Sequence, residues 1–137
     1  MMVKQMKWTW ELYLDETENV PKNLLTFFVR LIPEEEKSPD LPKPKLTEAE
    51  TRRLQVNLKY LCEKGLASLT RDNFDKLEDD LYEFKLTKSI HNPRFILTTL
   101  TPQRFVILHA FKKKNNGAIK EKDKLIARQR LENLRNR

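Results

Sequence analysis

Two segments, "PRFILTTL" (93–100) and "RFVILHAF" (104–111), are joined by Thr101-Pro102-Gln103. Both are rich in aromatic and β-branched residues, which favour strands. Three connecting residues are short enough to make an antiparallel hairpin. Both segments are apolar on both faces over most of their length, so neither can turn a face to water. Strands with this pattern are covered on both sides. The hairpin therefore predicts a sheet between two layers, and the other segments have to supply those layers.

The segment "KWTWELYL" (7–14) alternates, with Trp8, Trp10, Leu12 and Leu14 on one side, as in a strand with one buried face. "LYEFKLT" (81–87) is a further strand. Pro21 suits the first turn of a helix over 22–32, where Leu24, Phe28 and Leu31 fall at helical spacing and Pro33 ends the run. Thr47 and Glu50 form a capping box that opens a helix over 46–64. Leu54, Leu58 and Leu61 are its buried stripe, and Gly65 suits a left-handed position that closes it. The two helices predict a hairpin on one sheet face. Between them, residues 33–45 carry four prolines and three consecutive glutamates, the composition of a linker or extended insertion. A C-terminal helix from about Ala118 to Arg135 turns Ile119, Ile126, Ala127, Leu131 and Leu134 inward and would partly cover the other face. The expected fold is α+β: an antiparallel sheet of about four strands, an N-terminal helical hairpin on one face, and a basic C-terminal helix. At 137 residues one domain (1–137) has enough chain for a core, with the Pro/Glu-rich insertion at about 33–45.

The net charge is +7, and it is not spread evenly. Residues 103–137 hold eleven Lys and Arg against three acidic residues, whereas the first 102 residues are close to neutral. Such asymmetry points to a nucleic acid or an acidic partner. The single cysteine, Cys62, excludes an internal disulfide framework and reads as a small core residue. With no secretory signal and no apolar run long enough for a bilayer, the expectation is a cytoplasmic protein with no membrane contact. There is no CxxC, HExxH or paired-histidine spacing and no glycine-rich phosphate loop, so neither a metal nor a cofactor is expected. A cysteine–histidine nucleophile using His91 or His109 finds no support in the spacing. The chemistry left is positive charge on strands: Lys85, Arg94, Arg104 and Lys112 to Lys114.

If Pro102 centres the hairpin turn, Leu100 opposes Arg104, Ile96 opposes Leu108 and Arg94 opposes Ala110. One face then carries Arg94, Ile96, Thr98, Val106, Leu108, Ala110, Lys112 and Lys114, and the end of it where the cations converge is expected to be open to solvent. The other carries Phe95, Leu97, Phe105, Ile107, His109 and Phe111 and is the better core. His109 reads as a core histidine against Phe95 and Phe111. A slip of one residue would exchange the faces.

The ordered set "KLEDDLYEFKL", "NPRFILTTL", "FVILHAFKKKN" and "IARQRLENL" resembles the RelE/ParE-type toxins, and among them the phage-related, HigB-like proteins of type II toxin–antitoxin modules. The resemblance covers roughly residues 46–135. Phe84 and Lys85 depart from the Leu-Arg of the family pattern, Pro93 replaces its tyrosine, and Ala110 replaces its glycine. The resemblance implies a metal-free mRNA endoribonuclease acting in the ribosomal A site, in which a 2′-hydroxyl attacks the adjacent phosphate. It makes mRNA, the ribosome and a cognate helix-turn-helix antitoxin the expected partners. By matching position Lys85, Arg94, Lys112 and Lys114 are the expected catalytic cations, stabilising charge in the transition state. Lys113, Arg104, Lys120 and Arg128 are expected on the RNA backbone. His109 is the weaker catalytic candidate. Several family members carry a catalytic His or Tyr near the C-terminus, but this chain ends in "LRNR", so the proton-transfer groups are not evident. The competing reading is a non-catalytic protein of the same fold: a topoisomerase inhibitor, or a degenerate phage protein binding DNA or an acidic partner.

Overall fold

The computed structural model describes residues 8–70, 73–113 and 119–137. Five strands form one sheet: β1 (Thr9–Leu12), β2 (Phe74–Glu78), β3 (Leu81–Lys85), β4 (Pro93–Leu100) and β5 (Arg104–Lys112), in the order β1-β5-β4-β3-β2. The two strands apolar on both faces, β4 and β5, lie inside the sheet with helices on either side. Three helices accompany it: α1 (Lys22–Leu25), α2 (Glu48–Lys64) and α3 (Glu121–Arg135). The α+β class holds. No helix of the described residues is long and apolar enough to cross a membrane.

The sheet corrects the expected strand count and direction. β2 was not anticipated because in "FDKLE" only Phe74 is fully buried, so the pattern lacks an apolar repeat. β1 runs parallel to β5, from Thr9 opposite Arg104 to Leu12 opposite Ile107, while β2 to β5 pair antiparallel. The sheet is therefore mixed. Alternation says which residues share a face but carries no information on strand direction.

The expected first helix also shortens. α1 is a single turn, and a separate 3₁₀ turn follows at Val29–Leu31. Leu24, Phe27, Phe28 and Val29 are all buried. A continuous helix would aim the last three in different directions, and breaking it at Thr26 lets all of them turn inward. Phe27 and Phe28 then meet Phe95 edge-on, with centroids 6.0 and 5.8 Å apart. Together with α2, which buries Leu54, Leu58 and Leu61, they cover the face bearing Trp10, Phe84, Phe95 and Phe105. α3 covers part of the opposite face, burying Asp123, Ala127 and Leu131. Tyr13 Oη donates to Asn133 Oδ1 there (3.0 Å), and the Arg130 guanidinium lies over the tyrosine ring. The expected start of this helix near Ala118 falls outside the described residues.

The capping box at Thr47 and Glu50 is present, and Glu50 does more than cap. Its buried carboxylate accepts from the Thr47 N–H (3.0 Å), the His91 N–H (3.3 Å) and the His91 ring Nδ1 (2.7 Å), tying the β3–β4 connection to the start of α2. Burial alone would raise its pKa, but these hydrogen bonds outweigh it and hold the group below its ordinary 4.5. A carboxyl with a depressed folded pKa stabilises above its unfolded pKa, and that contribution is lost as pH falls through the folded value. Glu50→Gln is therefore expected to cost about 1–2 kcal/mol at pH 7. Thermal melts should show the gap to the wild type closing below pH 4.5.

Candidate functional site

The β4–β5 hairpin keeps the expected register from Leu100 opposite Arg104 to Leu97 opposite Ile107. It then breaks. Ile96 pairs with His109, Phe95 with Ala110 and Arg94 with Phe111, so Leu108 is the extra residue of a β-bulge. A bulge leaves a carbonyl outside the ladder, and Arg130 of α3 satisfies it, donating to Leu108 O at 2.7 Å. Directly paired residues share a face. The bulge therefore moves His109 and Phe111 onto the Arg94 face and Lys112, paired with Pro93, onto the opposite one. The face assignment made from the sequence is corrected from residue 109 onward.

The ladders assemble two rows on the Arg94 face. Asp75, Glu83, Ile96 and His109 form one, and Lys85, Arg94 and Phe111 the next. Arg94 Nη1 reaches Glu83 Oε1 at 3.4 Å. Lys85 Nζ lies between Asp75 Oδ2 (3.4 Å) and Glu83 Oε1 (3.9 Å). His109 stacks on Phe111 with centroids 5.5 Å apart, and its Nε2 meets Asp123 Oδ1 at 2.9 Å. The carboxylate can only accept, so Nε2 carries the proton and Nδ1 is bare. Burial pushes the His109 pKa below 6.5, Arg130 and Lys122 push the same way, and Asp123 opposes them without prevailing. The imidazole is neutral at pH 7.

Arg94, Glu83 and His109 are all buried, at 8%, 6% and 4% exposure, where Arg94 was expected on an open face. Four buried side-chain atoms of the described residues lack a hydrogen-bond partner, and three of them are here: Glu83 Oε2, Arg94 Nε and His109 Nδ1. Buried polar atoms are nearly always paired, so three such atoms close together call for a partner that the protein's own side chains do not supply. Among the described residues no three His, Cys, Asp or Glu side chains come together to hold a metal.

The family described as "Phage derived protein Gp49-like (DUF891)" matches residues 44–132. The chain belongs to this family. Gp49-like proteins are RelE/toxin-like. No curated protein matches the chain in sequence. The family match runs from the approach to α2 into the last turns of α3 and spans the whole Glu83–Arg94–His109–Asp123 patch.

In this Gp49-like chain the expected site residues do not all come together. Lys85 and Arg94 are adjacent. Lys112 is exposed on the far face, and Lys114 falls outside the described residues. Lys113 is half-buried at the end of β5, where its N–H donates to Asn92 O and its carbonyl accepts from Asn92 Nδ2. Lys120 is the exposed N-cap of α3. Arg104 lies at the opposite end of β5 from Phe111, paired to Glu11 at 2.6 Å. Arg128 is tied to Glu78 and to Asp79 O at the β2–β3 turn. Glu83 and Asp123 were not among the expected site residues. Glu83 had a signal, since it lies two residues before Lys85 and so on the same strand face. Asp123 had none, because nothing local places α3 against His109.

Proposed function

We propose that this protein is the toxin of a type II toxin–antitoxin module, of the HigB-like branch, and that it cleaves messenger RNA on the ribosome without a metal. One observation carries the reading: two cations, Lys85 and Arg94, and a neutral histidine occupy adjacent rows of one sheet face. Strand scission of this kind needs charge on the phosphate and a group that takes the 2′-hydroxyl proton. Arg94 and Lys85 are suited to stabilise the pentacoordinate phosphate. The excess of Lys and Arg after residue 102 supplies attraction for the RNA backbone. The partner in the resting cell would be a helix-turn-helix antitoxin encoded next to it, and the site of action the cytoplasm.

A second reading keeps the toxin fold without catalysis. It is favoured by Asp75 and Glu83, which offset Lys85 and Arg94 charge for charge. Induction of the protein alone distinguishes the two. The expected result is growth arrest with new message ends inside coding regions, mapped by primer extension. Intact messages with failing DNA supercoiling would establish the binding protein instead.

A further inference from the structure

We propose that His109 is the proton-transfer residue of this site, taking the proton of a ribose 2′-hydroxyl at Nδ1, while Arg94 Nε and Glu83 Oε2 hold the adjoining phosphate and sugar. The inference rests on the ribonuclease reading and names the substrate groups that its site would take.

The argument starts from the three unpartnered atoms. Arg94 Nε–H requires an acceptor. Glu83 Oε2 and the bare Nδ1 of His109 each require a donor. One acceptor beside two donors is the pattern of a phosphate oxygen next to sugar hydroxyls, and a deoxyribose at that position lacks the 2′ donor. The positions agree with this. Ile96 separates Glu83 from His109 in one row, and Arg94 is the diagonal neighbour of both in the next. Diagonal neighbours on one face lie roughly 7–8 Å apart, within the span of one nucleotide's sugar and phosphate. Asp123 is a positioning residue: by accepting from Nε2 it fixes the tautomer that leaves Nδ1 basic.

The step balances within the substrate. The 2′-hydroxyl gives its proton to Nδ1 and its electron pair to phosphorus. The bond from phosphorus to the 5′-oxygen breaks, and that oxygen leaves with the pair. Water protonates it, and the resulting hydroxide recovers the proton from His109. A 2′,3′-cyclic phosphate and a 5′-hydroxyl end remain. His109 is 4% exposed, so Nδ1 opens to a nucleotide only when side chains packed on it move while the Asp123 contact holds.

The ring acts only when neutral. Burial, Arg130 and Lys122 of α3 lower its pKa and Asp123 raises it, with Glu83 and Arg94 facing it from β3 and β4. The wild-type rate should therefore fall at pH below about 6.5, the ordinary histidine value. His109→Gln should lower single-turnover cleavage on programmed ribosomes at least about a hundredfold and remove that acid limb. Asp123→Asn should lower the rate and move the limb. A titration of the wild type supplies a readout that needs neither activity nor a variant. A ribonucleoside 3′-monophosphate should shift the imidazole ¹⁵N resonance of Nδ1, and its 2′-deoxy counterpart should not. If the wild type cleaves while His109→Gln keeps its rate and its acid limb, the assignment of His109 is overturned and the ribonuclease stands. If the wild type cleaves no message, both fall. Equal shifts with the two nucleotides overturn the hydroxyl contact, whatever the variants do.

Discussion

Arg94→Ala is expected to lower cleavage at least about a hundredfold, the usual loss when one dedicated charge-stabilising donor is removed from an active site. It is also expected to destabilise the fold, because Arg94 is 8% exposed and pairs with Glu83. Removing one member of a buried pair leaves the other charge without its partner, at a cost of about 3–5 kcal/mol. Lys85, 3.9 Å from the same Glu83 oxygen, can take over part of the pairing, so the lower end of that range is expected. One variant therefore cannot separate catalysis from folding. Replacing the pair together does, since exchanging a buried ion pair for apolar residues of similar size is often neutral or stabilising. Arg94→Met with Glu83→Leu should recover most of the melting temperature and none of the activity. A double variant that is both stable and active would remove Arg94 from the chemistry.

Gly65→Ala should be among the most destabilising single-methyl changes in the chain. Gly65 closes α2 with φ +57° and ψ −140°, its N–H donating to Leu61 O. That combination costs a residue with a side chain on the order of 1–3 kcal/mol in backbone strain. A methyl group there would also lie 2.2 Å from Trp8 Nε1 and under 3 Å from two further indole atoms. The indole cannot simply move aside. It stacks on Phe105 with centroids 4.6 Å apart, and the Trp8 backbone N–H donates to Cys62 O at 3.1 Å. Strain and displaced packing together predict a loss above about 3 kcal/mol. At about 4 °C per kcal/mol for a chain of this size, that is a fall in melting temperature above about 12 °C. A fall under about 3 °C by calorimetry would mean that the β1 end repacks freely around α2.

Gly65 and His109 also divide what the sequence determined from what the tertiary structure decided. Apolar runs on both faces of β4 and β5 required two covering layers, because an exposed face of that composition cannot be hydrated well. Thr47 and Glu50 set the start of α2, and Leu54, Leu58 and Leu61 its buried side, since capping and helical spacing act over three or four residues. The need for glycine at 65 was legible for the same local reason, although the approach of Trp8 was not. Strand direction was not legible, because the alternation in β1 reads the same whichever way the strand runs. The bulge at Leu108 was hidden too. No residue type there announces it, and Arg130, which satisfies the freed carbonyl, is 22 residues further along the chain. That one unpaired residue carries His109 to the side of Arg94 and Glu83 and Lys112 away from it. The cations were readable as a composition. Their sorting onto faces, and the burial of Arg94 and His109 on the same face as Glu83, depended on contacts made across the sheet and with α3.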